Sequence, residues 1–164
     1  IRLSLVGSEM CIRDRPEVIL KLVQAKQGAD LHTATFNQLV AHEVSRGGFL
    51  YQHIKLIRRV YRERRDTMLA AMDRFFPSQV DWTQPEGGLF LWGILPEGLV
   101  SAKVLEAAVL KKVAFVPGTP FYPCGGGLNT MRLNFSNATP EMIREGIHRL
   151  GDVLQTEIGA GVVV

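Results

Sequence analysis

With 164 residues, 46% hydrophobic and 21% charged side chains, the chain can bury a core but is small for two independent domains. Its formal charge of +3 includes no concentrated basic block of the kind that nucleic acid or an anionic membrane selects, and no run of about eighteen apolar residues exists to span a bilayer. Cys11 and Cys124 form no C-x-x-C pair and have no histidine cluster beside them, so neither a zinc site nor a disulfide framework is indicated, and a reducing, cytoplasmic setting fits.

Ile1 to Arg15 (IRLSLVGSEMCIRDR) has no helical or strand periodicity, and it lacks the apolar stretch and small-residue cleavage site of a signal peptide. Leu5 to Arg15 resembles the in-frame translation of a transposon-end sequencing adapter, so residues 1–15 are expected to be non-native. The native reading frame is then expected to have been cut here. From Pro16, PEVILKLVQAK predicts a short amphipathic helix with proline at its start and Gly28 at its end. Asp30 to Thr35 reads as a turn. Asn37 to Arg46 resumes helical spacing and is stopped by Gly47 and Gly48. Leu50, Ile54, Ile57, Tyr61, Met68, Met72 and Phe75 then recur at helical intervals and predict one long helix closed by Pro77.

Beyond Pro77 the period changes. Val80 and Trp82 alternate and Gly88 to Ile94 is a compact apolar run, predicting two short strands joined by a turn at Pro85, Glu86 and Gly87. Ser101 is expected to cap a helix that continues to Lys112 with Val104, Leu105 and Ala108 inward. Val113 to Val116 should be a buried strand ended by Pro117, and Thr119 to Asn129 a loop. Thr130 to Ser136 alternates cleanly, with Met131, Leu133 and Phe135 on one face and Arg132, Asn134 and Ser136 on the other. Thr139 as cap and Pro140 as first residue open a last helix carrying Ile143, Ile147, Leu150 and Leu154. The expected architecture is an α/β (α+β) small domain, a small sheet covered on one face by helices.

Few residues in this pattern point to chemistry. Arg58, Arg59, Arg62, Arg64 and Arg65 spread around the polar arc of the long helix and read as its solvated face. Gly125, Gly126 and Gly127 precede a strand instead of a helix N-terminus, and no Lys-Ser or Lys-Thr pair follows, which argues against a phosphate cradle. His32, His42, His53 and His148 have no metal-ligand spacing, and Cys124 has no predicted base. Arg132 is different, because a mid-strand guanidinium needs a partner if it is even partly buried. Two readings stay open: an internal ion pair or exposed strand face, and a fork that grips a substrate carboxylate through two parallel hydrogen bonds.

The ordered series AKQGADLHTATFNQLVAHEV, YRERRDTMLAAM, PEGGLFLW, VAFVPGTPF and NTMRLNFSNATPEMIREGIHRLGDVL resembles the C-terminal part of class I aminotransferases of the pyridoxal-phosphate fold type I. The likeness is greatest to the subgroup that includes 2-aminoadipate and aromatic aminotransferases and the aminotransferase-like half of some regulators, and it covers about Pro16 to Leu154. It implies a cytoplasmic homodimer of amino-acid metabolism. Such an enzyme moves an amino group between an L-amino acid and a 2-oxo acid such as 2-oxoglutarate, with pyridoxal 5′-phosphate as electron sink. In the family the arginine of the motif matching Met131 to Ser136 binds the substrate α-carboxylate, which implies that role for Arg132. The segment Leu31 to Asn37 matches one that lies near the dimer interface. The lysine that forms the Schiff base, the acid at the pyridine nitrogen and most phosphate ligands would precede residue 16, so no catalytic or cofactor-binding residue is assigned within the chain and the chain alone should be inactive. Lys21, Lys26, Lys55, Lys103, Lys111 and Lys112 all fall at polar helical positions. The expected division is residues 16–48 as helices bridging to a cofactor-binding domain, 49–155 as the small domain and 156–164 as a tail. The alternative is a ligand-sensing domain behind a DNA-binding helix-turn-helix, the only setting in which a nucleic-acid partner is expected; a third is a catalytically inert relative.

Overall fold

The computed structural model describes residues 15–161. The adapter reading of the first fifteen residues, and Cys11 with it, therefore lies outside the described residues except for Arg15. The chain divides into two compact units between His53 and Ile54, and each is described by itself.

In the first unit, helix α1 spans Pro16–Ala29 and helix α2 Thr35–Ser45. Pro16 takes the first helical turn, where no N–H is required. The Arg15 carbonyl accepts hydrogen bonds from the N–H groups of Val18 and Ile19, both at 3.0 Å. Gly28, expected to end α1, lies inside it. The stop comes after Asp30 instead, where Leu31 takes a positive φ of 64° and both residues donate their N–H to the Lys26 carbonyl. Asp30 also pairs with Lys26 at 2.9 Å, so the exit turn is tied to the last turn of the helix. Gly47 and Gly48 have φ of 74° and 80°, a region where L side chains are strained, and they break α2 from helix α3, Phe49–Phe75. No residue of α1 or α2 is buried; Phe36, Leu39 and Val40 are 74%, 62% and 45% exposed.

The second unit holds the sheet. Strands β1 (Asp81–Trp82), β2 (Phe90–Ile94), β3 (Val116–Pro117) and β4 (Thr130–Asn134) pair antiparallel throughout in the order β1-β2-β4-β3. Helix α4 (Ser101–Leu110) and helix α5 (Pro140–Gly161) complete it. One face of the sheet sends Leu91, Met131 and Leu133 into a core shared with Met68, Ala71 and Met72 of α3, Val104 and Ala108 of α4, and Ile143, Ile147, Leu150 and Leu154 of α5. Each of the larger of these side chains, Val, Leu, Ile or Met, contributes about 1.5–3 kcal/mol on burial, so this face is where the fold draws its stability. Gly93 stands directly across from Met131, and the missing side chain leaves room for the methionine, whose Cε would lie 2.8 Å from an added Cβ.

Two local expectations are overturned. Ser101 is not the cap of α4: Val100 holds that position and Ser101 is the first helical residue. Its N–H is already used, donating to the Leu128 carbonyl at 2.8 Å, and its hydroxyl is fully buried without a partner. Val113 to Val116 is not a four-residue strand either. The helix ends at Leu110, Lys112 takes φ of 63°, and the Val113 N–H closes the helix end onto the Ala108 carbonyl. Only Val116–Pro117 reaches β4, at a sheet edge where a proline lacking its N–H is tolerated. Thr139 does cap α5, its hydroxyl accepting the Met142 N–H at 3.3 Å.

Candidate functional site

β4 positions Arg132 by alternation. Because Met131 and Leu133 enter the core, Arg132 projects from the opposite face, between Trp92 of β2 and Val116 of β3 in the pairing register. Within this unit α4 and α5 pack against the other face, and Phe90, Ile94 and Val116 are 38%, 41% and 38% exposed.

The surroundings of the guanidinium are aromatic. Its Cζ lies 4.2 Å from the Phe90 ring centre and 4.6 Å from that of Phe121, which sits in the short 3₁₀ helix Thr119–Phe121. Trp92 meets Phe121 edge-on at 5.5 Å and Tyr122 in a tilted arrangement at 6.2 Å. The Arg132 Nε is buried with no hydrogen-bond partner, and no carboxylate among the described residues pairs with this arginine. An internal ion pair is therefore not what holds it. A buried, unpaired donor costs about 1–3 kcal/mol, more when charged. An arginine left in this state on an open face has the chemistry of an anion receptor: a planar fork, apolar walls and no internal competitor.

Asn134 and Ser136 share the strand face with Arg132 but are spent locally. The Asn134 Oδ1 accepts the Ser136 N–H at 2.6 Å and the Ser136 hydroxyl at 2.8 Å, closing the end of the strand. The Ser136 carbonyl accepts from Arg64. Arg65 donates to the Pro85 carbonyl at 3.1 Å and pairs with Asp66 at 2.6 Å. Arg58, Arg59 and Arg62 are exposed as expected of a solvated face, whereas Arg64 and Arg65 are half-buried struts between α3 and the loops around the sheet.

Phe90, Trp92, Phe121 and Tyr122 were not singled out from the sequence. The alternation of β2 could have placed Phe90 and Trp92 on one face, but only the register sets them beside Arg132. Phe121 and Tyr122 lie in a loop without periodicity and left no signal. All six lysines expected at polar positions are exposed. Gly125, Gly126 and Gly127 are followed in the chain by β4 and not by a helix. Among the described residues no group of three or more metal-ligating side chains gathers, and no helix is long and apolar enough to cross a membrane.

Comparison with known proteins bears on the fold. No family model matches the chain. It is 49% identical over 140 residues to the 2-aminoadipate transaminase of Thermus thermophilus, covering 85% of this chain and 35% of the relative. It is 48% identical to aromatic-amino-acid aminotransferase 1 of Thermococcus litoralis, covering 90% and 35%. The crystal structure of a multiple substrate aminotransferase from Thermococcus profundus superposes with a TM-score of 0.84 at 43% identity, over 89% of this chain and 36% of that one. A weaker similarity, 31% identity over 82% of this chain and 27% of the relative, links it to the helix-turn-helix transcriptional regulator YdfD of Bacillus subtilis. The chain thus spans about a third of the length of the curated relatives it matches. By sequence and by fold, it belongs to the fold type I aminotransferases and corresponds to their C-terminal part.

Proposed function

We propose that the whole protein containing this segment is a pyridoxal-phosphate-dependent aminotransferase, exchanging an amino group between an L-amino acid and a 2-oxo acid such as 2-oxoglutarate. The observation that carries this reading is Arg132, a half-buried guanidinium with an unpartnered Nε, set among aromatic rings on the open face of the sheet. Both substrates of such a reaction carry an α-carboxylate, and a single fork serves each in turn. Held by two parallel hydrogen bonds, the carboxylate fixes one end of the substrate, so that the bonds at Cα take one orientation instead of many.

The described residues do not fit the cofactor itself. Its anchoring lysine would need an enclosed site, and every lysine here is exposed, with Lys26 already paired to Asp30. The triple glycine leads into a strand, so it is not the loop-to-helix junction of an anion cradle. In this reading the cofactor is held by a part of the protein outside the segment, residues 16–48 bridge to that part, the segment alone is inactive, and the whole protein works as a cytoplasmic homodimer.

The similarity to helix-turn-helix regulators favours a second reading, a ligand sensor that uses the same carboxylate site. Expressing the full reading frame and following amino transfer from a panel of amino acids to 2-oxoglutarate separates the two. Transfer supports the enzyme. No transfer, with sequence-specific DNA binding that responds to an amino acid, supports the regulator.

A further inference from the structure

We infer that Phe121 and Phe90 are positioning residues for Arg132, holding its guanidinium ready for a carboxylate before any substrate arrives. This rests on the reading of Arg132 as the carboxylate-binding group. An arginine side chain has many rotamers, and something must choose one for a fork to be useful. No carboxylate among the described residues pairs with it, and no hydrogen bond to its Nε exists. What touches it are two phenyl rings, at 4.2 and 4.6 Å from Cζ, both inside the roughly 6 Å reach of a cation–π interaction.

The choice of aromatic partners has a chemical consequence. A carboxylate placed beside Arg132 would immobilise it but would occupy the same N–H donors that the substrate needs. A phenyl ring attracts the cation through its quadrupole and offers no lone pair, so no donor of the guanidinium is spent on an internal partner. The rings also exclude water from Nε, which strengthens any charged contact the guanidinium then makes.

The two rings are anchored by different means. Phe90 is fixed by the β2 ladder, paired with Asn134 in β4. Phe121 belongs to the loop and depends on three supports: its N–H donates to the Gly118 carbonyl at 2.8 Å, the Gly118 N–H donates to the Thr130 carbonyl at 2.7 Å, and Trp92 meets its ring edge-on. Trp92 lies directly across from Arg132 in the register, so strand, loop ring and guanidinium form one continuous contact.

The test uses Phe121→Leu, Phe121→Tyr and Phe90→Leu, each with and without Arg132→Gln. In the 164-residue chain, the side-chain Nε–H resonance of Arg132 is followed by NMR. It is expected to be ring-shifted and slowly exchanging in the parent and in Phe121→Tyr, and to lose both properties in Phe121→Leu. In the full-length protein, kcat/KM is expected to fall about tenfold in Phe121→Leu, by the same factor for aromatic, acidic and aliphatic amino acids, and to recover in Phe121→Tyr. In the Arg132→Gln background Phe121→Leu should add no further loss, because a residue acting through Arg132 has nothing left to position. Phe90→Leu repeats every arm if Phe121→Leu fails to fold. An unchanged Nε–H resonance, or an equal loss with and without Arg132, overturns the positioning role. If Arg132→Gln itself leaves kcat/KM intact, the carboxylate reading fails, while the resonance still decides whether the rings hold the guanidinium.

Discussion

Removing the guanidinium of Arg132 separates a binding role from a structural one. A buried arginine that serves the fold through an ion pair costs about 3–5 kcal/mol when truncated, because its partner is left charged and unpaired. Arg132 has no such partner among the described residues, and truncation also relieves a buried, unsatisfied Nε. Against that gain stand two cation–π contacts at 4.2 and 4.6 Å, each about 0.5–1 kcal/mol at a partly exposed site. These terms nearly cancel, so Arg132→Ala should shift the stability of the chain by no more than about 1 kcal/mol. Substrate use should respond very differently. A hydrogen bond to a charged group contributes about 1.5–3 kcal/mol, so kcat/KM of the full-length protein should fall about ten- to a hundredfold or more. The loss should be similar for aromatic, acidic and aliphatic amino acids, since all carry the same α-carboxylate. Arg132→Lys should rescue only part of it, because an ammonium keeps the charge and loses the planar fork. Chemical denaturation of the chain and steady-state kinetics of the full-length protein measure the two sides. A stability loss of several kcal/mol, near-parental kinetics, or a defect confined to one class of side chain would refute the reasoning.

Ser101→Ala should stabilise the chain by about 1 kcal/mol in denaturant titration, because it deletes a fully buried hydroxyl that has no partner. Gly151→Ala should destabilise by about 1–2 kcal/mol despite its better helix propensity: an added Cβ would lie 2.5 Å from the Phe75 carbonyl oxygen, and overpacking against backbone has no cheap relief. The control is Gly146→Ala in the same helix, where a Cβ meets nothing within 4 Å, and it should stabilise by up to about 1 kcal/mol. Glu141 in the first turn of α5 is held below the ordinary carboxyl range, chiefly by a hydrogen bond from its own backbone, then by the Thr139 side chain and by Arg144. Its carboxylate therefore adds stability above the carboxyl range of the unfolded chain, and that contribution is lost as pH falls through its own lowered value. Glu141→Gln should flatten the acid limb of the stability–pH profile while changing little above it, as thermal melts across that range will show.

Most elements of the second unit were legible in the sequence, because each buries a stripe whose spacing is a local property. The alternation of Met131 and Leu133 in β4 with Phe135 just beyond it, and the α5 row of Ile143, Ile147, Leu150 and Leu154, each specify a period and a face without reference to the rest of the chain. The same alternation singled out Arg132 as the polar residue aimed away from the core. Errors arose where a helix end is set by backbone hydrogen bonds: the Val100 carbonyl already accepts from the N–H groups of Lys103 and Val104, so Ser101 lies inside α4, and the Val113 N–H closes the other end of α4 instead of joining a strand. Such closure has no local signature.

Periodicity, the side of the strand that Arg132 occupies and, through the ordered motifs, the family can all be read from the residues in order. What surrounds that arginine follows from three-dimensional pairing. Antiparallel register sets Trp92 across from it, the β2 ladder brings in Phe90, and a loop without periodicity delivers Phe121. The distinction is physical. Alternation follows from the geometry of a single strand, whereas the company a side chain keeps depends on pairing and loop closure between residues as far apart as Phe90 and Arg132, which no local pattern encodes.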